Sequence, residues 1–292
     1  MSIIEVNNLQ KKFGDFEALK DVSFSVQPGE VAGFIGPNGA GKSTTIRILL
    51  GLIRRTGGSA QIFGKDVWSE RLEIHKRISY VPGDIALWNN LSGGEIIDVF
   101  MTLHGNGNKK RRDFLIERFE LDPTKKAKNY SKGNRQKVGL ISALAVESDL
   151  YIFDEPTSGL DPLMETIFQD EVNEMKNQGK SVLLSSHILS EVERLADKIV
   201  IIRQGEIVES GSLDDMRHLT RSVITLTSNH DLSNLTQVPG VYDFSQTGEI
   251  AKLSVEKEHL NEVLLAAANI GISNIESAQP TLEDLFIRHY ER

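Results

Sequence analysis

The chain has 292 residues, enough for one large domain or for one with a small companion, and a formal net charge of −8 that speaks against general nucleic-acid binding. It contains no cysteine, which excludes disulfides and thiolate metal sites and fits a cytoplasmic location. No apolar run approaches the 18 residues of a membrane span, and the first residues, Met1-Ser2-Ile3-Ile4-Glu5, lack the basic and apolar regions of a signal peptide.

In chain order, Ile3-Ile4-Glu5-Val6 and Val22-Ser23-Phe24-Ser25-Val26 read as strands. Between them Phe13 stands beside Gly14, and two readings fit it equally: a ring that stacks on a nucleobase, or a hairpin aromatic packed on the sheet. Val31 to Ile35 reads as a buried strand, and Lys42 to Gly51 as a helix closed by glycine. The segment that joins them, Gly36-Pro37-Asn38-Gly39-Ala40-Gly41-Lys42-Ser43-Thr44, fits the phosphate-loop pattern G-x-x-x-x-G-K-[ST]. Glycines let such a loop curl its N–H groups inward around a polyphosphate, and the following helix presents its positive end to the same anion. Lys42 then reaches the outer phosphates and the Ser43 hydroxyl is placed to ligate Mg2+.

Gly57 to Lys65 reads as a turn and a short strand, and Ile78 to Val81 as a strand stopped by Pro82. Residues 95–146 read mostly as helices, with Phe114, Arg118 and Leu121, then Leu140, Leu144 and Ala145, at helical spacing. Residues 109–137 hold eleven Lys and Arg against Asp113, Glu117, Glu120 and Asp122. A solvated helical face, a surface near anionic lipid and a nucleic-acid patch all fit that charge, the last least because aromatics are scarce. Leu150-Tyr151-Ile152-Phe153-Asp154-Glu155 is an apolar strand ending in two carboxylates. Asp154 is delivered beside the phosphate loop to hold Mg2+, and Glu155 to orient or deprotonate a water. Ser181 to Ser186 is a further buried strand, and it presents His187 for a contact to the γ-phosphate. Lys198 to Arg203 and Gln204 to Val208 read as a closing hairpin. The sum is an α/β domain with its ligand at the strand C-termini.

Over about residues 3–220 these motifs, in this order, resemble the ATP-binding cassette (ABC) family of P-loop NTPases. The resemblance implies an α/β cassette over residues 1–220 with an α-helical subdomain at about 84–146. It also implies ATP and Mg2+ as cofactors, Phe13 as the adenine-stacking aromatic, and Gly36, Asn38, Gly39, Ala40, Gly41, Lys42, Ser43 and Thr44 as the phosphate loop. Asp154 matches the family's metal-binding aspartate, Glu155 its catalytic glutamate, Asp161 (in Ser158-Gly159-Leu160-Asp161) its D-loop, and His187 its switch histidine. Leu91-Ser92-Gly93-Gly94-Glu95 imitates the family signature but lies too far before Asp154. Tyr130-Ser131-Lys132-Gly133-Asn134-Arg135-Gln136 occupies the signature's place, with Ser131 and Gly133 matching, Lys132 replacing a glycine and Asn134 a glutamine. A helix N-terminus with a serine hydroxyl suits an anion, and in the family it meets ATP held by a second copy, so a head-to-tail homodimer is implied. The glutamine that the family keeps after the 78–82 strand is Gly83 here, followed by Asp84; a substitute role for Asp84, a water in the glutamine's place, or altered coupling is the consequence to test.

From about residue 221 to 292 a small α+β domain is expected, serving dimerisation or regulation. It comprises strands at Val223–Thr227 and Ile250–Val255, a helix marked by Leu260, Val263, Leu264 and Ala267, a strand at Ile270–Ile275, and a last helix from Pro280 to Phe286 with Thr281 as N-cap. That ending is similar to the tail of ATPase subunits of ABC-2 type exporters. The resemblance therefore implies an ATPase subunit that drives export through a separate integral-membrane permease, cytoplasmic and held at the inner face of the cell membrane by that permease, with Trp88 and Leu91 either docking or core residues. The rival readings are a soluble ABC ATPase acting on ribosomes or DNA, and a cassette that senses ATP without hydrolysing it.

Overall fold

The computed structural model describes residues 2–212, 215 and 222–278. The chain divides into two units, residues 1–211 and 212–292. The strands of the first are β1 (Ile4–Phe13), β2 (Phe16–Val26), β3 (Val31–Ile35), β4 (Gly57–Ile62), β5 (Lys65–Asp66), β6 (Ile78–Val81), β7 (Leu150–Asp154), β8 (Ser181–Ser186), β9 (Lys198–Arg203) and β10 (Glu206–Ser212). They form one sheet in the order β5-β4-β1-β2-β10-β9-β3-β8-β7-β6.

The sheet has two characters. β9, β3, β8, β7 and β6 run parallel, and β3, β7 and β8 are buried along their whole length, as their near-continuous apolar runs require. β1, β2, β4 and β5 pair antiparallel at the other side. The 198–208 hairpin forms on a turn whose two residues, Gln204 and Gly205, both have positive φ (48° and 79°), the geometry that a two-residue hairpin needs. In the parallel half the register pairs Ile35 with Ser186 and Asp154 with Ser185. The chain segments that leave β3, β7 and β8 therefore emerge side by side.

Helices α1 (Lys42–Leu49), α2 (Arg71–His75), α3 (Gly93–His104), α4 (Lys109–Arg118), α5 (Lys132–Leu144), α6 (Pro162–Asn177) and α7 (Leu189–Leu195) complete the unit. The signature-like Leu91–Glu95 segment is a capping box at the start of α3. The Ser92 hydroxyl accepts the Glu95 N–H at 3.3 Å, and Glu95 Oε2 accepts the Ser92 N–H at 2.6 Å. Much of the basic 109–137 stretch is spent on bracing. Arg111 and Arg118 of α4 both grip Glu171 of α6, whose side chain is wholly buried. Arg118 also pairs with Asp170 at 2.9 Å, Arg112 with Asp98 at 2.9 Å and Lys126 with Glu95 at 3.2 Å. Burial pushes the Glu171 carboxyl up, and the two guanidiniums pull it back.

The second unit holds β11 (Ser222–Thr227), β12 (Val241–Thr247), β13 (Ile250–Val255) and β14 (Asn274–Ala278) in an antiparallel sheet ordered β12-β13-β11-β14, with α8 (Leu260–Ile270) contributing to its core. Ile224, Leu226, Leu253, Val255, Val263 and Ala267 form that core. The strand expected from Ile270 starts later: Ile270 is the last residue of α8, Gly271 (φ 103°) ends the helix, and pairing begins with Asn274 opposite Thr227. The helix expected at Pro280–Phe286, with its Thr281 cap, lies outside the described residues.

Candidate functional site

The phosphate-loop segment leaves β3 and wraps into α1. Gly36 is buried so tightly that a Cβ there would stand 2.3 Å from the Ile202 carbonyl oxygen. Gly41 has φ 116° and no room for a Cβ beside Leu19. Asn38 and Gly39 at the loop's tip are exposed, Ala40 is buried, and Ser43 and Thr44 are half-buried in the first turn of α1. Lys42 is 5% exposed and folds back on the loop, donating to the Gly36 carbonyl at 2.6 Å and the Pro37 carbonyl at 3.3 Å.

Lys42 also meets the acidic strand end, with Nζ 3.5 Å from Glu155 Oε1. The other Glu155 oxygen lies 3.4 Å from His187 Nδ1. Lys42, Glu155 and His187 are thus one chain of polar contacts assembled from the ends of β3, β7 and β8. Glu155 holds φ 50°, a left-handed conformation that costs a non-glycine residue about 1–2 kcal/mol. It is secured by its N–H to the Ser185 carbonyl at 3.0 Å and by the Ser158 N–H to its own carbonyl at 3.2 Å. That turn separates the aims of the neighbouring carboxylates. Glu155 is partly exposed, whereas Asp154 is buried and accepts the Ser185 hydroxyl at 2.5 Å. Beside Asp154, burial pushes the Tyr80 phenol up to about 12 and the Asp154 charge adds to the shift, so that hydroxyl keeps its proton.

Asp154 and Ser43 offer hard oxygen donors, and no group of three or more His, Cys, Asp or Glu capable of holding a metal occurs among the described residues. Such a sparse oxygen set suits Mg2+, whose shell is completed by phosphate oxygens and water, and does not suit an all-protein cage.

The remaining sequence candidates make local contacts of other kinds. Ser131 caps α5 by accepting the Asn134 N–H at 3.2 Å. The start of α5 rests on the 156–159 loop. A Cβ at Gly133 would stand 2.5 Å from the Gly159 carbonyl oxygen, Lys132 Nζ donates to the Ser158 hydroxyl at 2.7 Å, and Gln136 Nε2 donates to the Pro156 carbonyl at 2.8 Å. Asp161 caps α6, accepting the Met164 N–H at 3.1 Å. Phe13, at the end of β1, is 49% exposed, with the Lys11 ammonium 4.6 Å from its ring centroid. Gly83 packs on the carboxylate pair, a Cβ there coming within 3.0 Å of the Asp154 carbonyl and 3.6 Å of Glu155 Cβ, while Asp84 is exposed. Sequence reasoning passed over Ser185, Gln136 and Tyr80. The signal for Ser185 was a pair of hydroxyls directly after the apolar Val182–Leu184 run and before His187.

Comparison with known proteins gives a consistent result. The ABC transporter family profile matches residues 19–158, and the profile of the C-terminal domain of DrrA1-3-like ATP-binding proteins matches residues 211–290. YhaQ of Bacillus subtilis (strain 168), an uncharacterised ABC transporter ATP-binding protein, is 31% identical over 98% of this chain and 97% of its own. The daunorubicin resistance ATP-binding protein DrrA3 of Streptomyces coeruleorubidus is 32% identical over 97% of this chain and 94% of its own. Among solved structures, an ATP-binding subunit of an ABC transporter is 34% identical, with a TM-score of 0.70 over 75% of this chain and 93% of that one.

Proposed function

We propose a function from one premise: the chain belongs to the ABC transporter family of ATP-binding proteins. It is the ATP-hydrolysing subunit of an ABC-2 type exporter, and it works as a homodimer on a separate membrane permease. The observation that carries the reading is the Lys42–Glu155–His187 chain of contacts at the mouth of the phosphate loop.

Lys42 exchanges the Gly36 and Pro37 carbonyls for the outer phosphates of ATP, which also frees Glu155 from its ammonium. Loop N–H groups and the α1 N-terminus hold the same phosphates, and Phe13 offers its ring to the adenine. Ser43 and Asp154 would hold Mg2+, which would neutralise the phosphate charge. Glu155 orients the attacking water and accepts its proton, and His187 contacts the γ-phosphate. Ser131 and Gly133, at the start of α5, complete the site of the other copy. Gly83 leaves the water without a glutamine partner and leaves that place to solvent.

The permease docks on the helical subdomain. Trp88 and Phe100 are both exposed and lie 5.8 Å apart ring to ring, an aromatic pair of the kind that anchors protein interfaces, while Leu91 is half-buried. No helix among the described residues is long and apolar enough to cross a membrane. Export is supported by the DrrA-like C-terminal profile. The test is affinity purification of the tagged chain from detergent-solubilised membranes of its own host. A multi-spanning membrane protein in near-equal amount is the expected result; ribosomes, DNA or no partner would overturn the transporter reading.

A further inference from the structure

Ser185 and Ser186 end β8, a strand otherwise built for burial, between β3 and β7. Ser185 is fully buried and touches both acidic residues of the neighbouring strand end, Asp154 through its carboxylate and Glu155 through its backbone. Its hydroxyl donates to Asp154 Oδ1 at 2.5 Å, and its carbonyl accepts the Glu155 N–H at 3.0 Å. The β7–β8 register sets this up by placing Ser185 directly opposite Asp154.

We infer that Ser185 is the positioning residue for the carboxylate that would hold Mg2+: its hydroxyl ties Asp154 Oδ1 and so holds the group in one orientation. The inference rests on the reading of Asp154 as the residue that holds Mg2+. A carboxylate has lone pairs on both oxygens and rotates about its last bond unless one oxygen is tied. Here only Oδ1 is tied by a hydrogen bond among the described residues. A buried hydroxyl on a metal-binding carboxylate acts as outer-shell partners do elsewhere, where their loss weakens metal affinity by roughly 10–100-fold. The same residue sets the left-handed turn at Glu155 through its backbone, which no side-chain substitution removes. A side-chain variant therefore separates the effect on the metal from the effect on the base.

The experiment measures binding of a fluorescent ATP analogue to the full chain, in EDTA and across a Mg2+ titration. Ser185→Ala is expected to keep its EDTA affinity within about twofold, which also reports that the phosphate loop is folded, and to need about tenfold more Mg2+ for half of the metal-dependent change. Ser185→Thr, which keeps the hydroxyl, is expected to stay within about threefold of the parent Mg2+ midpoint. An unchanged Mg2+ midpoint in Ser185→Ala overturns the inference, as does an equal shift in the Ala and Thr chains. Should the alanine chain not fold, Ser185→Cys keeps the volume with a weaker donor, and an unshifted midpoint there also overturns it. Asp154→Asn runs alongside. If that variant leaves the Mg2+ dependence untouched, the metal reading of the site has failed, independently of Ser185.

Discussion

Gly133→Ala tests how closely the start of α5 is fitted to the loop after Glu155. The added methyl would sit 2.5 Å from the Gly159 carbonyl oxygen, where an ordinary contact begins near 3.4 Å. Neither side yields easily. The obstacle is backbone, and Lys132–Ser158 and Gln136–Pro156 tie the two segments together at 2.7 Å and 2.8 Å. Relief therefore moves the α5 start or the loop by about 1 Å, and a misplacement of that size costs on the order of 10²-fold in turnover. The phosphate loop makes none of these contacts, so ATP affinity in EDTA should stay within about twofold of the parent, while the ATPase kcat falls about 100-fold. Steady-state ATPase kinetics and nucleotide binding check the two halves. A kcat within threefold of the parent would show that this packing does not bear on turnover.

Phe13→Ala should raise the KM for ATP about fivefold, the low end expected for losing one base stack at a half-exposed ring, with kcat nearly unchanged; an unmoved KM would place the adenine elsewhere. Glu171→Ala should lower stability by about 3 kcal/mol, since it leaves two guanidiniums without their shared buried partner while Asp170 and Glu174 still satisfy part of each. At that cost thermal unfolding shifts down by roughly 6–12 °C, and a shift under 2 °C would mean the triad is balanced by its own desolvation. Exchanging both Trp88 and Phe100 for Ser should leave ATPase activity of the isolated chain intact and abolish co-purification of a membrane partner; retained co-purification would move the docking face.

What the sequence made legible was local. The phosphate loop, the two carboxylates and His187 each sit at the end of an apolar run, and the run itself says where the side chain is delivered. Sequence spacing sets Ser131 apart from the look-alike at Ser92, and the structure makes both of them helix caps, Ser131 for α5 and Ser92, through its Ser-x-x-Glu pattern, for α3. What stayed hidden depends on strand order or on a break in periodicity. Ser185 matters because β8 lies next to β7, and nothing within β8 reveals its neighbour. β12 was missed because its register shifts between Tyr242 and Ser245 and Asp243 turns to φ 51°, which spoils the alternation that marks a strand. The Glu171 triad joins residues 53 and 60 positions apart, and Arg111 and Arg118 read simply as part of a charge run until α6 is packed beside α4.

The measurement that tests the central claim most directly is sedimentation of the Glu155→Gln chain with and without MgATP. Glutamine keeps the shape and removes the proton acceptor, so ATP binds and is not consumed. The account predicts a monomer without nucleotide, a stable dimer with MgATP, and turnover reduced by about 10²-fold or more. A chain that stays monomeric with saturating MgATP, or that hydrolyses ATP at the parent's rate, would contradict it.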